Sequence, residues 1–405
     1  MEGVRVLEVA QWTFVPSAGA VLADWGADVI KVEHAVTGDA MRGMESMGLE
    51  TVDGHVSFSP MMEHANRGKR SVGLALEHPD ALEVLYEIAR TSDVFLTNFL
   101  PDARRRLKID VDDIRAVNPQ IIYVRGTAHG SAGPDAEAGG FDSCTFWARS
   151  GAAVGVTPPG TEGLCYMPVP GFGDSVGGMT IAGGIAAALF ARASTGEPSV
   201  VDVSLLSTGI WANGLGIDIS LVTGNPWEWP SITHPGSPAN PLVGPFATSD
   251  GRYLMLAMLQ PGRYWADTCR HVGREDLVTD PRFDTVAKIM ANSEAGAALI
   301  QDEIRKRPYA EWLERFRTLQ GQWAPAQDTV EAGHDEQVRA AGMIRTVVDR
   351  DGVERDLVAN PVQFDGRPPD LVRGPQFAEH TDEMLHELGM SEERILQLKL
   401  AGAAT

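Results

Sequence analysis

Short apolar runs alternate with helix-like segments through the first half of the chain. Runs with the length of buried strands lie at 4–9, 28–33, 71–76, 94–97, 121–124 and 199–206. Segments typical of helices lie at 17–25, 79–90 and 176–193. Because strands that alternate with helices form parallel sheets covered on both faces, the pattern predicts a mostly parallel, doubly wound α/β domain.

Two proline-rich stretches interrupt this pattern and mark domain boundaries. Between them, 246–258 predicts a hairpin that turns at Asp250 and Gly251, and helix-like segments follow at 293–307 and 309–319. The tail of the chain is helical in pattern. We therefore divide the chain into a large domain at 1–222, a linker at 223–245, a small domain at 246–360, a linker at 361–375 and a C-terminal segment at 376–405.

Charge and cysteine content narrow the classes of function. The 55 acidic and 34 basic residues give a net charge of −21, which disfavours sequence-independent nucleic-acid binding and anionic membranes. Three scattered cysteines, and ten histidines without a metal-ligand spacing, indicate neither a disulfide framework nor a metal site. The longest apolar stretch, 179–191, is shorter than the ~20 residues of a membrane span, and the N-terminus lacks a signal-peptide pattern. We therefore expect a soluble, cytoplasmic protein.

The segment 171–178, Gly-Phe-Gly-Asp-Ser-Val-Gly-Gly, is the most informative local motif for chemistry. A glycine-rich turn before a helix suits a dinucleotide, but Val176 stands where that motif needs glycine. The same segment matches GxSxG, so Ser175 is a candidate nucleophile of a serine hydrolase, and His380 follows it in the order that such a triad requires. Against this, prolines rather than a strand precede the motif. Alternatively, Asp174 is a carboxylate nucleophile that the helix dipole keeps ionised. Taken alone, the local sequence favours Asp174 as a helix cap.

Two basic clusters stand out in this acidic chain. One is 66–70, Asn-Arg-Gly-Lys-Arg, and the other is 104–106, Arg-Arg-Arg, which follows Asn98 and Phe99. Each cluster alone is typical of a solvated turn. Because arginine and lysine bind phosphates through charge-assisted hydrogen bonds, two clusters in one α/β domain indicate a site for an anionic ligand.

These segments together resemble the class III coenzyme A transferase family, the CaiB/BaiF group, which includes formyl-CoA transferases, carnitine CoA transferases and α-methylacyl-CoA racemases. The matching residues are 3–8, 22–33, 38–39, 42, 66–71, 93–94, 98–99, 173–175, 195–196, 201–203 and 379–381. Several motifs in one order, spread almost from end to end, are a specific signal, whereas each motif alone is not.

The resemblance implies an architecture. It is a Rossmann-like large domain built from both chain ends, with a smaller α+β domain, in an interlocked, ring-like homodimer. The two proline-rich linkers fit that arrangement. The resemblance also implies an active site near the subunit interface, acyl-CoA and small carboxylic acids as substrates, and no permanently bound cofactor or metal.

The resemblance also implies a mechanism in which Asp174 attacks the acyl-CoA thioester. An aspartyl anhydride and then an aspartyl-CoA thioester form before CoA passes to the acceptor acid. The resemblance assigns CoA binding to Gln11, Trp12, Thr13, Arg42, Leu74, Asn98, Phe99, Arg106 and Leu107. Arg42 and Arg106 are expected to hold phosphates and Leu74 to pack on the adenine, whereas Arg67 and Lys69 are expected to shape the fold.

Four departures from the family pattern leave the reaction open. Thr13 stands where formyl-CoA transferases have a glutamine, and Glu77 stands where they have a lysine near the adenine. The stretch 234–241 replaces their run of glycines over the reacting aspartate. Phe141 replaces the histidine base of the racemases, which disfavours a racemase or another acyl-CoA isomerase. A serine hydrolase that uses Ser175 is the alternative from another class.

Aromatic residues near these motifs are candidates for an acyl pocket. They are Trp12, Phe14, Phe141, Phe146, Trp147 and Tyr166. Aromatic walls suit an acceptor larger than formate or oxalate. Packing in the core is the alternative role for most of them, and the sequence does not separate the two.

Overall fold

A six-stranded parallel sheet forms the centre of the first of two compact units in the computed structural model, which describes residues 1–43, 58–227 and 239–405. Its strands are β1 (Arg5–Val9), β2 (Asp28–Glu33), β3 (Arg70–Gly73), β4 (Val94–Thr97), β5 (Ile122–Thr127) and β6 (Val200–Ser204). They lie in the order β3-β2-β1-β4-β5-β6, and every pair is parallel. The parallel sheet predicted from the alternating pattern is confirmed.

The inner strands of this sheet are buried on both faces, which explains why their residues are mostly apolar. On β1, Leu7 and Val9 belong to one hydrophobic core and Val6 belongs to the other. The helices that accompany the sheet are α1 (Phe14–Asp24), α2 (Pro60–Asn66), α3 (Pro79–Arg90), α4 (Pro101–Leu107), α5 (Val111–Val117), α6 (Ala152–Val156), α7 (Phe172–Thr195), α8 (Leu205–Ala212) and α9 (Gly214–Thr223). Helix α3 packs in the first core, whereas α1 and α7 pack in the second.

The direction of the strand order reverses between β1 and β4, so the loops after these two strands leave the sheet on opposite sides. Two hydrogen bonds join the loops. The backbone N–H of Gln11 donates to Oδ1 of Asn98 at 3.1 Å, and Nδ2 of Asn98 donates to the carbonyl of Gln11 at 2.7 Å. In open α/β sheets, ligands bind at this carboxyl edge.

Helix α7 lies against α1 at two positions that only glycine fits. A Cβ atom on Gly178 would lie 1.9 Å from Oγ of Ser17, and one on Gly177 would lie 2.3 Å from the ring of Phe14. The hydroxyl of Ser17 also donates to the carbonyl oxygen of Asp174 at 3.3 Å. These contacts fix the first turn of α7 against α1.

Helix α7 also has the length and hydropathy of a membrane span, as does the bent pair α8–α9, although the apolar stretch appeared too short from the sequence. In the first unit, Ile181, Ala182 and Ile185 of α7 are fully buried in the core beside the sheet. One face of helix α7 therefore packs in the core of this unit.

The second unit comprises Gly155–Gly163 and Trp227–Asp335. Its antiparallel sheet has the order β7-β8-β9, from β7 (Val243–Ala247), β8 (Tyr253–Ala257) and β9 (Trp323–Pro325). Its helices are α10 (Pro261–Val272), α11 (Val286–Ala291), α12 (Ser293–Ile304), α13 (Tyr309–Arg315) and α14 (Thr329–His334). The predicted hairpin is confirmed, and Gly251 adopts the left-handed conformation of its turn, with φ +76°.

The chain rejoins the first unit at Glu336, whereas the sequence placed the end of the small domain at residue 360. The returning elements are α15 (Glu336–Ala340), β10 (Ile344–Val348), β11 (Glu354–Val358), α16 (Thr381–Glu387) and α17 (Glu392–Leu400). Asn360 explains the difference, because its side chain accepts a hydrogen bond from the indole of Trp25 at 3.2 Å and donates one to Asp24 at 3.0 Å.

The C-terminal segment completes the first core. Leu385 and Leu398 are fully buried there, beside the strands. The tail predicted as one helix is two helices, because Gly389 adopts φ +78° between α16 and α17. The segment 361–375, predicted as a linker, lies inside the first unit, where the N–H of Gly374 donates to Glu63 at 2.6 Å.

We predict that Gly178→Ala lowers the free energy of unfolding by about 1–3 kcal/mol, because the new methyl group overpacks the contact with Ser17. Gly183→Ala on the same helix is the matched control. A Cβ atom there meets nothing within 4 Å, so alanine should stabilise the helix by roughly 0.5–1 kcal/mol. Chemical denaturation of both variants measures the difference, and equal effects at the two positions would contradict the close contact.

Candidate active site

Asp174 lies in the first turn of α7. The N-cap residue is Gly171, which adopts φ +76°, and its carbonyl accepts the first helical hydrogen bond, from the N–H of Ser175 at 2.9 Å. Asp174 is thus inside the helix and does not cap it, contrary to the role that local sequence favoured. Gly173 is required because a Cβ atom there would lie 2.5 Å from the ring of Phe146.

The carboxyl group of Asp174 is half-buried, and its pKa is raised to about 7. Burial is the main cause, and the nearby carboxylate of Asp142 is the second. The sequence suggested instead that the helix dipole keeps Asp174 fully ionised. That expectation is wrong, because desolvation and a like charge outweigh the dipole at this position.

Asp142 is the site residue that the sequence did not single out. Its side chain is buried, and Oδ2 accepts a hydrogen bond from the backbone N–H of Gly173 at 3.1 Å. This bond holds the first turn of α7 and places a second carboxylate beside Asp174. The signal for it in the sequence was its match to the aspartate of a racemase-type motif, next to Phe141.

Asp174 borders a cavity of 490 Å³. The cavity is lined by Trp12, Phe14, Asn98, Phe99, Leu100, Pro101, Gly126, Thr127, Ala128, Ala136, Ala138, Gly139, Gly140, Phe141, Asp174 and Leu205. The predicted residues Trp12, Asn98 and Phe99 are therefore brought together with Asp174.

Of the six aromatic residues considered for an acyl pocket, three line this cavity: Trp12, Phe14 and Phe141. Phe146 and Trp147 are core residues at 3% and 9% exposure, and Tyr166 is exposed. The rings of Trp12 and Phe141 meet edge to face, with 5.6 Å between their centroids.

A second cavity, of 210 Å³, contains five of the predicted CoA-binding residues. Its lining is Val9, Gln11, Val32, Glu33, His34, Thr37, Leu74, Leu76, Glu77, Phe99, Ala103, Arg106 and Leu107. Phe99 borders both cavities, so they adjoin at this ring. Arg106 is exposed and takes part in none of the ion pairs recorded among the described residues.

The other two predicted CoA residues lie outside both linings. The guanidinium group of Arg42 donates two hydrogen bonds of 2.7 Å to the buried carboxylate of Glu33. Although burial opposes it, this pairing, with the charge of Lys31, lowers the pKa of Glu33 to about 2. Thr13 lies beside the turn that precedes Asp174, because a Cβ atom on Gly171 would be 3.5 Å from the methyl group of Thr13.

Within the basic cluster at 66–70, Arg67 and Lys69 have structural partners, in line with the expectation that they shape the fold. Arg67 is buried and forms an ion pair with Asp24 at 2.7 Å, and Lys69 is buried and forms one with Glu8 at 2.7 Å. These residues do not face either cavity lining. The 234–241 stretch cannot be compared with the family loop, because residues 234–238 lie outside the described residues.

The geometry around Ser175 does not support a serine hydrolase. Its hydroxyl lies within hydrogen-bonding distance of the carbonyl of Gly171, at 2.9 Å, and of Nε2 of His64, at 3.0 Å, but His64 precedes Ser175 in the chain, whereas the elbow order places the histidine after the serine. His380 is engaged elsewhere, where it accepts a hydrogen bond from the N–H of Ser71 at 3.2 Å. No strand precedes the turn at Gly171, as a nucleophile elbow requires.

The racemase alternative also loses support. Phe141 occupies the position of the expected histidine and lines the cavity. Among the described lining residues of that cavity there is no histidine, so Asp174 has no second base opposite it. Within the described part of the chain, no cluster of His, Cys, Asp and Glu has the arrangement of a metal site.

Comparisons with known proteins agree with this geometry. Residues 1–381 match the model of CoA-transferase family III. The chain is 28% identical to (R)-2-hydroxy-4-methylpentanoate CoA-transferase of Clostridioides difficile, with 98% of each chain covered, and 29% identical to cinnamoyl-CoA:phenyllactate CoA-transferase of Clostridium sporogenes, with 98% and 95% covered.

Solved structures give the same result. A CAIB/BAIF family protein from Brucella suis is similar with a TM-score of 0.80 and 26% identity, over 96% of this chain and 98% of that one. The protein Rv3272 from Mycobacterium tuberculosis is similar with a TM-score of 0.77 and 26% identity, over 94% and 98%. The match across nearly the whole length shows that the chain belongs to CoA-transferase family III and is a CoA transferase.

Proposed function

We propose that this enzyme moves CoA from an acyl-CoA donor to a carboxylic acid acceptor, with Asp174 as the covalent nucleophile. The observation that carries the proposal is the position of Asp174, the one charged side chain among the described residues that line the 490 Å³ cavity. That cavity adjoins the smaller one at Phe99. A CoA whose nucleotide end occupies the smaller cavity would present its thioester toward Asp174.

The proposed reaction has four steps. A carboxylate oxygen of Asp174 attacks the donor thioester, which forms an acyl-aspartyl anhydride and releases CoA as its thiolate. The thiolate attacks the aspartyl carbonyl carbon, which releases the donor acid and leaves an aspartyl-CoA thioester. The carboxylate of the acceptor attacks that thioester, so a second anhydride forms and the thiolate leaves again. The thiolate finally attacks the acceptor carbonyl, which yields acceptor-CoA and restores the carboxylate of Asp174.

The surroundings of Asp174 suit this chemistry. Its raised pKa, about 7, makes the carboxylate more basic than an ordinary aspartate, and basicity near the working pH favours a reacting group. The partly buried position limits the access of water, which would hydrolyse an anhydride. The N–H of Gly173 is already bound to Asp142, so it holds the helix turn rather than the oxyanion.

We extend the CoA site to all nine residues implied by the resemblance. Arg42 and Arg106 are proposed to hold phosphates, and Leu74 to pack on the adenine. The strand order and the hydrogen-bonded loops at Gln11 and Asn98 support this placement, because the order is that of Rossmann-like sheets, which bind nucleotides at the same edge. No permanently bound cofactor is proposed.

We propose that the active species is a homodimer in the cytoplasm. Helices α8 and α9 support a subunit contact, because they expose large apolar side chains, among them Trp211 at 86% and Leu215 at 79%. Monomeric soluble proteins rarely expose such an apolar patch. A second copy of this chain is the occupant we assign to it, in line with the interlocked dimer that the resemblance implies.

We predict that Asp174→Asn and Asp174→Ala each lower CoA transfer by at least roughly 10³-fold, because both remove the nucleophile. Ser175→Ala is the matched control, since it changes the adjacent residue and keeps the carboxylate. Trapping with hydroxylamine, followed by peptide mass spectrometry, should place a hydroxamate on Asp174 in the wild type and the control. Wild-type turnover in the Asp174 variants would refute the mechanism.

We also predict a pH dependence. Because the folded pKa of Asp174 is about 7, the ionised nucleophile is present above that pH and is lost as the pH falls below it. Asp142→Asn retains an acceptor for the N–H of Gly173 but removes the like charge, so the pKa of Asp174 should fall. The acid limb of the pH profile of kcat should therefore move to lower pH. Asp135→Asn, in the same loop, is the control. An unchanged limb in Asp142→Asn would contradict the assigned cause.

The dimer proposal has its own test. The double variant Trp211→Glu and Leu215→Glu should be monomeric in size-exclusion chromatography with light scattering, and its CoA transfer should fall with the loss of the dimer. Leu400→Glu is the control, because Leu400 is equally exposed, at 79%, on a different helix. Retention of the dimer in the double variant would remove α8 and α9 from the interface.

A further inference from the structure

The wall of the cavity beside Asp174 is mostly apolar. Its large side chains are those of Trp12, Phe14, Phe99, Leu100, Phe141 and Leu205. Alanines and glycines form the rest of the surface, apart from a few uncharged polar groups. Among its described lining residues, none carries a positive charge, and Asp174 carries the single negative one.

The nearest arginines are already neutralised. A neighbouring cavity of 190 Å³ shares Pro101, Thr127 and Ala136 with the first and contains three arginines. Arg104 forms an ion pair with Asp110 at 3.2 Å, Arg105 pairs with Asp102 and with Glu137, and Arg125 pairs with Asp202 at 2.6 Å. Each of the three guanidinium groups thus has at least one carboxylate partner, so none of them is unpaired for a second carboxylate of a substrate.

The segments 44–57 and 228–238, outside the described residues, contain neither lysine nor arginine. Beneath the first turn of α7, Asp142 adds a second carboxylate close to Asp174. A second carboxylate on a substrate would therefore meet apolar side chains and like charges.

We propose that this transferase acts on apolar monocarboxylic acids and excludes dicarboxylic acids of the same length, an inference that rests on the proposed function of Asp174. The reacting carboxylate of the acceptor is consumed in the bond to the aspartyl carbonyl. A second carboxylate stays ionised and would have to lose its water without gaining a partner, which is strongly unfavourable. An alkyl or aryl chain instead gains favourable burial.

Trp12 and Phe141 are the residues that set this preference. Trp12 is held in a left-handed conformation, φ +68°, by a hydrogen bond from its N–H to Asp39 at 3.1 Å, and its ring meets that of Phe141 edge to face. Phe141 is 58% exposed, so its ring forms an accessible edge of the cavity. A substrate side chain in the cavity lies against these rings.

Matched acids test the proposal. Butanoate and succinate differ only in that a methyl group replaces the second carboxylate, and hexanoate and adipate differ in the same way. With acetyl-CoA as donor, kcat/KM should be on the order of 10²-fold or more higher for the monocarboxylate of each pair. Similar values within a pair, or a preference for succinate or adipate, would overturn the proposal.

One variant tests whether Phe141 itself contributes to this preference. Phe141→Arg places a cation at the edge of the cavity, so the ratio of adipate to hexanoate turnover should rise at least roughly tenfold. Phe141→Leu is the matched control and should keep the preference for hexanoate. An unchanged ratio in Phe141→Arg would remove Phe141 from the substrate wall.

The same reactions separate this inference from the proposed function. Each is assayed for CoA bound covalently to Asp174 by peptide mass spectrometry. Covalent CoA with no discrimination between the paired acids overturns the substrate class alone. Absence of covalent CoA, with acyl-CoA products still formed, overturns the proposed function and, with it, the inference that rests on it.

Discussion

Four buried charges beneath the loop after β1 hold the site together. Glu8 accepts hydrogen bonds from Lys69 at 2.7 Å and from Lys31 at 3.2 Å, and Lys31 also pairs with Asp39 at 2.8 Å. Although burial alone lowers it, the charges of Asp39 and Glu8 raise the pKa of Lys31 above its ordinary value. Asp39 in turn holds the backbone of Trp12 in a conformation that costs about 1–3 kcal/mol.

This network is sensitive to the loss of any member. Removing one partner leaves an uncompensated buried charge, which costs about 3–5 kcal/mol. The same residues connect β1 and β2 to Lys69, which follows α2 and also donates to Asn66, the last residue of that helix, at 3.1 Å. The wall of the 490 Å³ cavity and the anchoring of Arg42 near Glu33 therefore depend on buried charges that line neither cavity.

Much of the fold could be predicted because its determinants are local. Strands buried on both faces appear as continuous apolar runs, and the hairpin at Gly251 has a turn motif of two residues. The boundary at Glu336 could not be read in this way, because the contacts of Asn360 with Asp24 and Trp25 join distant parts of the chain.

The candidate site, like the fold, could be predicted only in part from the sequence. The motif and the resemblance led to Asp174, and seven of the nine residues assigned to CoA binding line the two cavities. They did not reveal Asp142 as a partner of Gly173, since the two lie 31 residues apart. They also gave the wrong ionisation for Asp174, because burial is a property of the packed structure and outweighs the helix dipole.

The central claim is that the carboxylate of Asp174 exchanges oxygen with its substrates, and isotope transfer tests it most directly. In the proposed sequence, an acceptor oxygen becomes the bridge of the second anhydride and stays on Asp174 when the thiolate attacks the acceptor carbonyl. Turnover with an ¹⁸O-labelled acid should therefore place ¹⁸O in the peptide that contains Asp174. Active turnover that leaves this peptide unlabelled would contradict the account.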